Sequence, residues 1–285
     1  MKSENHICFS KERYPALWRY ILENNVKADY RDGEDIVAID IYSTDPHWDW
    51  VGEYVEKMNV FCLRDIIYSK EELQQAQRLA VRTIWRYGYP EPQNDYRYVD
   101  ITYDKTNYCT RCGIGLRQKD AFRMAKAPKW GRRHFYAPFW VEDELFISET
   151  AKMALENAKI TGISFREVKN KKGSEYLPDT WQLYIEHKAN PGLIPDEGYI
   201  QTVNICSLCG SVKYGATREN GSMQRFKKKA FDYAPDVVKT YEVFGGMHMV
   251  AIHEIIVSQK FYQTVADKNL DKSLRFYPIE LVEDK

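Results

Sequence analysis

Cys109-Thr110-Arg111-Cys112-Gly113 and Cys206-Ser207-Leu208-Cys209-Gly210 are two copies of one five-residue pattern, and reading them together decides how this chain is organised. Each Cys-x-x-Cys loop can aim two sulfurs at one point, and two such loops fill the four tetrahedral positions that zinc prefers. Gly after the second Cys suits a backbone that turns sharply beneath an ion. The quartet Cys109, Cys112, Cys206 and Cys209 is therefore expected to hold a structural Zn2+ that ties distant segments together. A thioredoxin-type redox pair and an iron–sulfur cluster are the competing readings of the same thiols. Duplication argues against the redox pair, because one pair suffices. Four thiolates would leave no open position for a catalytic water.

Outward from the knuckles, a second duplication appears. Glu144-Leu145-Phe146-Ile147-Ser148 leads through an apolar-periodic helix to Gly162-Ile163-Ser164-Phe165-Arg166-Glu167-Val168. Glu254-Ile255-Ile256-Val257-Ser258 leads through a similar helix to Leu274-Arg275-Phe276-Tyr277-Pro278-Ile279. In each copy a strand ends in a Ser suited to cap the next helix, and a second strand carries a central Phe. Each copy follows a knuckle. These features predict a pseudo-duplicated zinc-knuckle/βαβ domain over 93–285, with repeats at about 105–170 and 203–282.

Residues 1–92 are expected to form a separate small α/β unit. His6–Phe9, Asp35–Tyr42 and Val60–Tyr68 read as strands, and Tyr14–Glu23 and Trp48–Met58 as helices. Ser69 with Glu72 makes a capping box that should open a helix running through Trp85. Tyr87-Gly88-Tyr89-Pro90-Glu91-Pro92 would then break it and mark the boundary. The fold class expected is mixed α/β, or α+β.

The chain has 285 residues and a formal net charge of zero, with charge unevenly spread. Residues 101–135 carry nine Lys/Arg against two Asp/Glu, while residues 1–100 carry 13 against 18. Basic segments at 111–133 and 213–229 thus follow the two knuckles. A four-thiolate zinc centre has a formal charge of −2, which two or three cations offset. Arg117, Arg123, Lys129, Arg132, Arg133, Arg225, Lys227, Lys228 and Lys229 remain as candidates for an anionic partner, either nucleic acid or an acidic protein. No segment approaches the length of a membrane-spanning helix, and Met1–Tyr14 lacks the apolar region of a secretory signal. Reduced thiols in the cytoplasm are the expectation, with Cys8 and Cys62 as small buried side chains.

Candidates for catalysis are few. Asp45-Pro46-His47-Trp48-Asp49 reads as a Pro turn leading into a helix. His134, His248 and His253 stand in aromatic or apolar company, where histidines are packed and hydrogen-bonded. Ser148 and Ser258 lack a G-x-S-x-G setting, and Gly245-Gly246 lacks a phosphate-loop pattern.

With the paired knuckles, Phe146-Ile147-Ser148 and Thr161-Gly162-Ile163-Ser164-Phe165-Arg166-Glu167-Val168 in view, the chain resembles the bacterial double-CxxCG-motif proteins over roughly residues 100–282. That group is related to the immunity proteins of polymorphic toxin systems. The resemblance implies a cytosolic, non-enzymatic protein that works by binding a protein partner, with the four cysteines as metal ligands. Residues 1–90 lie outside it. The expectation is a zinc-stabilised binding protein, immunity-like or regulatory. The alternative is a nucleic-acid-binding zinc-ribbon-like protein, and the third reading is an enzyme with an interdomain site.

Overall fold

A computed structural model describes residues 2–195, 200–216, 223–246 and 251–283. They form mixed helices and strands in several sheets, an α+β protein. They divide into two compact units, 2–72 and 73–283.

In the first unit, β1 (Lys2–Ser10) pairs antiparallel with both β3 (Ile36–Tyr42) and β4 (Cys62–Ile67), and the short β2 (Asp29–Tyr30) pairs with β3. The order is β2-β3-β1-β4. Period-two alternation puts Ile7, Phe9, Val37, Ile39 and Ile41 on one face. There they meet Leu17 and Ile21 of helix α1 (Pro15–Glu23) and Val51 and Val55 of α2 (Trp48–Met58). Pro15 opens α1, where its missing N–H costs nothing. Cys8 and Cys62, expected to be buried, are half-buried.

The helix expected to run through Trp85 does not. The capping box forms, with Ser69 N donating to Glu72 Oε2 at 2.7 Å and Glu72 N to Ser69 Oγ at 3.2 Å. Yet helix α3 (Lys70–Gln75) stops after six residues, and Arg78–Thr83 continues as strand β5. Gln, Ala, Arg and Leu around that junction are good helix formers. Pairing on both sides of β5 and burial of Leu79, Ala80 and Val81 outweigh the local preference. The division between units consequently falls at 72/73, ahead of the boundary expected at 92.

In the second unit, α4 (Tyr98–Thr102) precedes a two-stranded hairpin of β6 (Tyr103–Asp104) and β7 (Arg117–Gln118). Next come β8 (Arg123–Met124), β9 (Phe135–Tyr136), β10 (Leu145–Ile147), helix α5 (Glu149–Asn157), β11 (Ile163–Asn170) and β12 (Tyr176–Ile185). A second hairpin follows, of β13 (Ile200–Ile205) and β14 (Val212–Ala216). The chain ends with β15 (Gln224–Lys227), β16 (Val237–Lys239), β17 (Ile255–Ser258), helix α6 (Gln259–Asp267) and β18 (Leu274–Val282).

Two five-stranded sheets result, ordered β8-β11-β12-β10-β9 and β15-β18-β5-β17-β16. They correspond strand for strand. Each has one parallel pair, β8 with β11 and β15 with β18, and every other pair is antiparallel. The difference lies in the middle strand: β12 follows β11 directly, whereas β5 is drawn from a segment before the first hairpin.

Ser148 and Ser258 both act as helix N-caps, accepting from Ala151 N and Phe261 N at 3.2 Å. Leu145, Ile147, Val257, Phe261, Leu155 and Val81 belong to one core spanning both sheets and both helices. On the opposite face of the first sheet, Phe146 packs with Phe122 and Tyr136 in an aromatic core. Burial on both faces matches the apolar run of β10 and that of β17 up to its capping Ser258.

Candidate metal centre

The two hairpins carry the cysteine pairs at their turns, and the turns are built alike. Gly113 N donates to Cys109 O at 2.8 Å, and Gly210 N to Cys206 O at 2.8 Å. Cys109 N donates to Ile114 O and Cys206 N to Ser211 O, closing each loop. Gly113 and Gly210 adopt φ of 77° and 72°, the left-handed region where a side chain is disfavoured. The five-residue pattern thus encodes its own local geometry.

All four Sγ atoms lie within 4.8 Å of one another, and all six cysteines of the chain are free thiols. Across the hairpins, Cys109 Sγ is 3.8 Å from Cys206 Sγ, and Cys112 Sγ is 3.6 Å from Cys209 Sγ. Four sulfurs at about 2.3 Å from a tetrahedral ion stand about 3.8 Å apart. The spacing therefore fits one metal ion. Among the described residues, this is the one group of three or more His, Cys, Asp or Glu side chains gathered at such distances.

The environment is asymmetric. Cys112 is fully buried, and burial pushes its thiol up to about 12. Cys209 is exposed; the Ser211 hydroxyl, 3.3 Å away, and the Ser211 N–H hold it down at about 6. Backbone N–H groups of Cys209 and Leu208 lower Cys206. Donors of this kind favour thiolate, the form that binds metal.

Beneath the quartet lies Lys213, completely buried on β14. Its Nζ donates to Cys112 O at 2.9 Å and Gly246 O at 2.8 Å. Burial lowers its pKa, while Cys112 and Cys206 act in the opposite sense. By sequence this lysine belongs to the basic segment 213–229. The structure instead buries it, with its ammonium bonded to two backbone carbonyls. Its position four residues after Cys209 is the only sequence signal that could have marked it.

The remaining cations are spread over several elements. Arg117 lies on β7, Arg123 on β8, and Arg225 and Lys227 on β15. Lys129, Arg132 and Arg133 are exposed on the approach to β9, with Arg133 stacked 4.4 Å over Trp85. Arg123 is 3.5 Å from Asp120, Arg225 3.1 Å from Glu280, and Lys228 2.5 Å from Glu283. Lys229 follows in the turn after β15. His248 and positions 217–222 of the second basic segment lie outside the described residues.

The other candidates take structural roles. His47 N donates to Asp45 Oδ1 at 2.9 Å, forming the expected turn before α2, and Asp49 sits in that helix's first turn. His134 Nδ1 lies 2.9 Å from Ser148 Oγ, and burial lowers its pKa.

One polar cluster is marked in the sequence by His253 alone. The buried Lys239 donates to Glu144 at 2.6 Å and Asp143 at 3.2 Å, and Gln182 donates to the other Glu144 oxygen at 2.9 Å. His253 completes it, with Lys188 Nζ 2.9 Å from its Nε2. Strand β16, the start of β10 and β12 meet here, so residues from distant parts of the chain satisfy one another.

No protein-family model matches this chain, and no curated protein matches it.

Proposed function

We propose that this chain is a zinc-stabilised, cytosolic, non-enzymatic binding protein that acts through a protein partner, in the manner of an immunity or regulatory factor. The observation that carries the reading is the closed quartet. With Cys109, Cys112, Cys206 and Cys209 all ligating, an ion has no position left for water or substrate, so its contribution is folding energy. Zinc is the ion favoured by four thiolates in tetrahedral array.

Two observations favour a protein over nucleic acid as partner. Several basic candidates already have carboxylate neighbours within the chain. Tyr89, Tyr96 and Phe139 are exposed around Trp140, with Tyr89 and Tyr96 ring centroids 4.6 and 4.7 Å from it. Exposed Tyr and Trp are characteristic of protein interfaces.

Elemental analysis of the purified chain should find one zinc per molecule; protein that folds without metal would remove the basis of the reading. The partner class is tested by binding at rising salt. A complex with a protein toxin should persist between about 50 and 200 mM salt. Binding to duplex DNA that falls by orders of magnitude over that range would establish the nucleic-acid reading instead.

A further inference from the structure

We propose that the quartet is also an oxidation site for hydroperoxides, with Cys209 as the attacked sulfur and Cys112 as its resolving partner. The inference rests on the metal reading above and gives that site a chemistry of its own. Three of the cysteines are buried: Cys109, Cys112 and Cys206 are 8%, 0% and 1% exposed. Cys209 alone is open to solvent. An oxidant arriving from water therefore meets Cys209 first, the exposed residue of the four. Across the hairpins, Cys112 Sγ stands 3.6 Å from Cys209 Sγ, already in position for the second step.

The chemistry balances with hydroperoxide as the only co-reactant. The Cys209 thiolate displaces at the distal peroxide oxygen; the S–O bond forms, the O–O bond breaks, and the leaving oxygen takes a proton from water. Cys209 is now a sulfenic acid and no longer a metal ligand. The Cys112 thiolate then attacks that sulfur; the S–S bond forms, the S–O bond breaks, and hydroxide departs. Two thiolates have lost two electrons and the peroxide has gained them. The ion, left with Cys109 and Cys206, is released. Because Cys112 lies on the first hairpin and Cys209 on the second, the new disulfide joins the same two hairpins the metal joined. Oxidation exchanges a metal tie for a covalent one and leaves the fold closed.

The test uses the full wild-type chain, loaded with zinc and treated with hydrogen peroxide. A chromogenic chelator follows metal release, and remaining thiols are then alkylated and the protein digested with trypsin. Cleavage after Arg111 separates Cys109, on 106–111, from Cys112, on 112–117; Cys206 and Cys209 share 189–213. The expected result is full release of the bound ion together with a 112–117 to 189–213 cross-link, placed on Cys209 by fragment ions. A cross-link between 106–111 and 112–117, a Cys206–Cys209 disulfide, or Cys209 over-oxidised without any disulfide would overturn the proposal, as would retention of the ion. Protein isolated without metal would overturn the functional reading of the preceding subsection, while the disulfide map would still decide this one.

Discussion

Lys213 and His253 show how much a single side chain's surroundings matter. Lys213 is a cation by composition, yet the residue is buried, its ammonium held by the carbonyls of Cys112 and Gly246. A buried charge without partners would be expelled or neutralised. His253 is the converse, a titratable group kept neutral. Its Nδ1 faces the carbonyls of Thr240 at 2.8 Å and Glu242 at 3.2 Å, so Nδ1 carries the hydrogen and Nε2 accepts from Lys188. Burial, then Lys188, depresses its pKa to about 4. The unfolded chain, with His near 6.5, binds this proton more readily than the folded one. Stability contributed by this site is whole above about 6.5 and falls as pH drops toward 4, by up to about 3 kcal/mol. Urea unfolding across that window should show the decline, and His253→Gln should flatten it. Parallel declines in wild type and variant would assign the effect to other groups.

At the scale of elements, local signals succeeded where the structure they encode is local. Both Ser caps, the knuckle turns and the Ser69–Glu72 box are made by residues within five positions of one another, and the sequence shows all of them. Gly162 carries a different kind of information. Its φ is +86°, and a Cβ there would stand 2.2 Å from Val237 O. The preceding Thr161 bonds Asp236 through both N and Oγ1 at 2.9 Å, and Ser258 donates to the same carboxylate at 2.7 Å. The Thr-Gly pair thus joins the first sheet to the start of β16. Gly162→Ala is expected to cost about 3 kcal/mol, near the top of the range for backbone strain, because φ and contact act together. Gly210→Ala has no atom within 4 Å of the added carbon and should cost about 1 kcal/mol, from φ alone. Thermal unfolding of the two variants compares them directly; equal losses would mean that the approach to Val237 is unimportant.

For the molecule as a whole, the decisive strand is β5. It forms the middle of the second sheet, between β17 and β18, yet precedes both hairpins in sequence. Its neighbours hold it with more than the ladder. Arg78 donates to Pro235 O and Ala234 O at 2.8 Å, and Thr83 Oγ1 donates to Ser273 O at 2.9 Å. A chain shortened to residues 93–285, the division the sequence suggests, removes that strand and opens the core at Leu79 and Val81. It should lose cooperative unfolding by calorimetry, whereas a chain of residues 69–285 should keep it. A cooperative transition in the shorter chain would show that the second sheet closes without β5. The amino-acid order alone determined the knuckles, the helix caps, the paired strand–helix–strand segments and the α+β class, since each depends on neighbours or on a pattern repeated in plain view. Only the tertiary structure decided that Arg78–Thr83 is a strand, that Lys213 is internal, and that Lys239, Glu144 and His253 share one network. Those outcomes come from pairing and burial between segments far apart in the chain, where distant contacts override what nearby residues prefer.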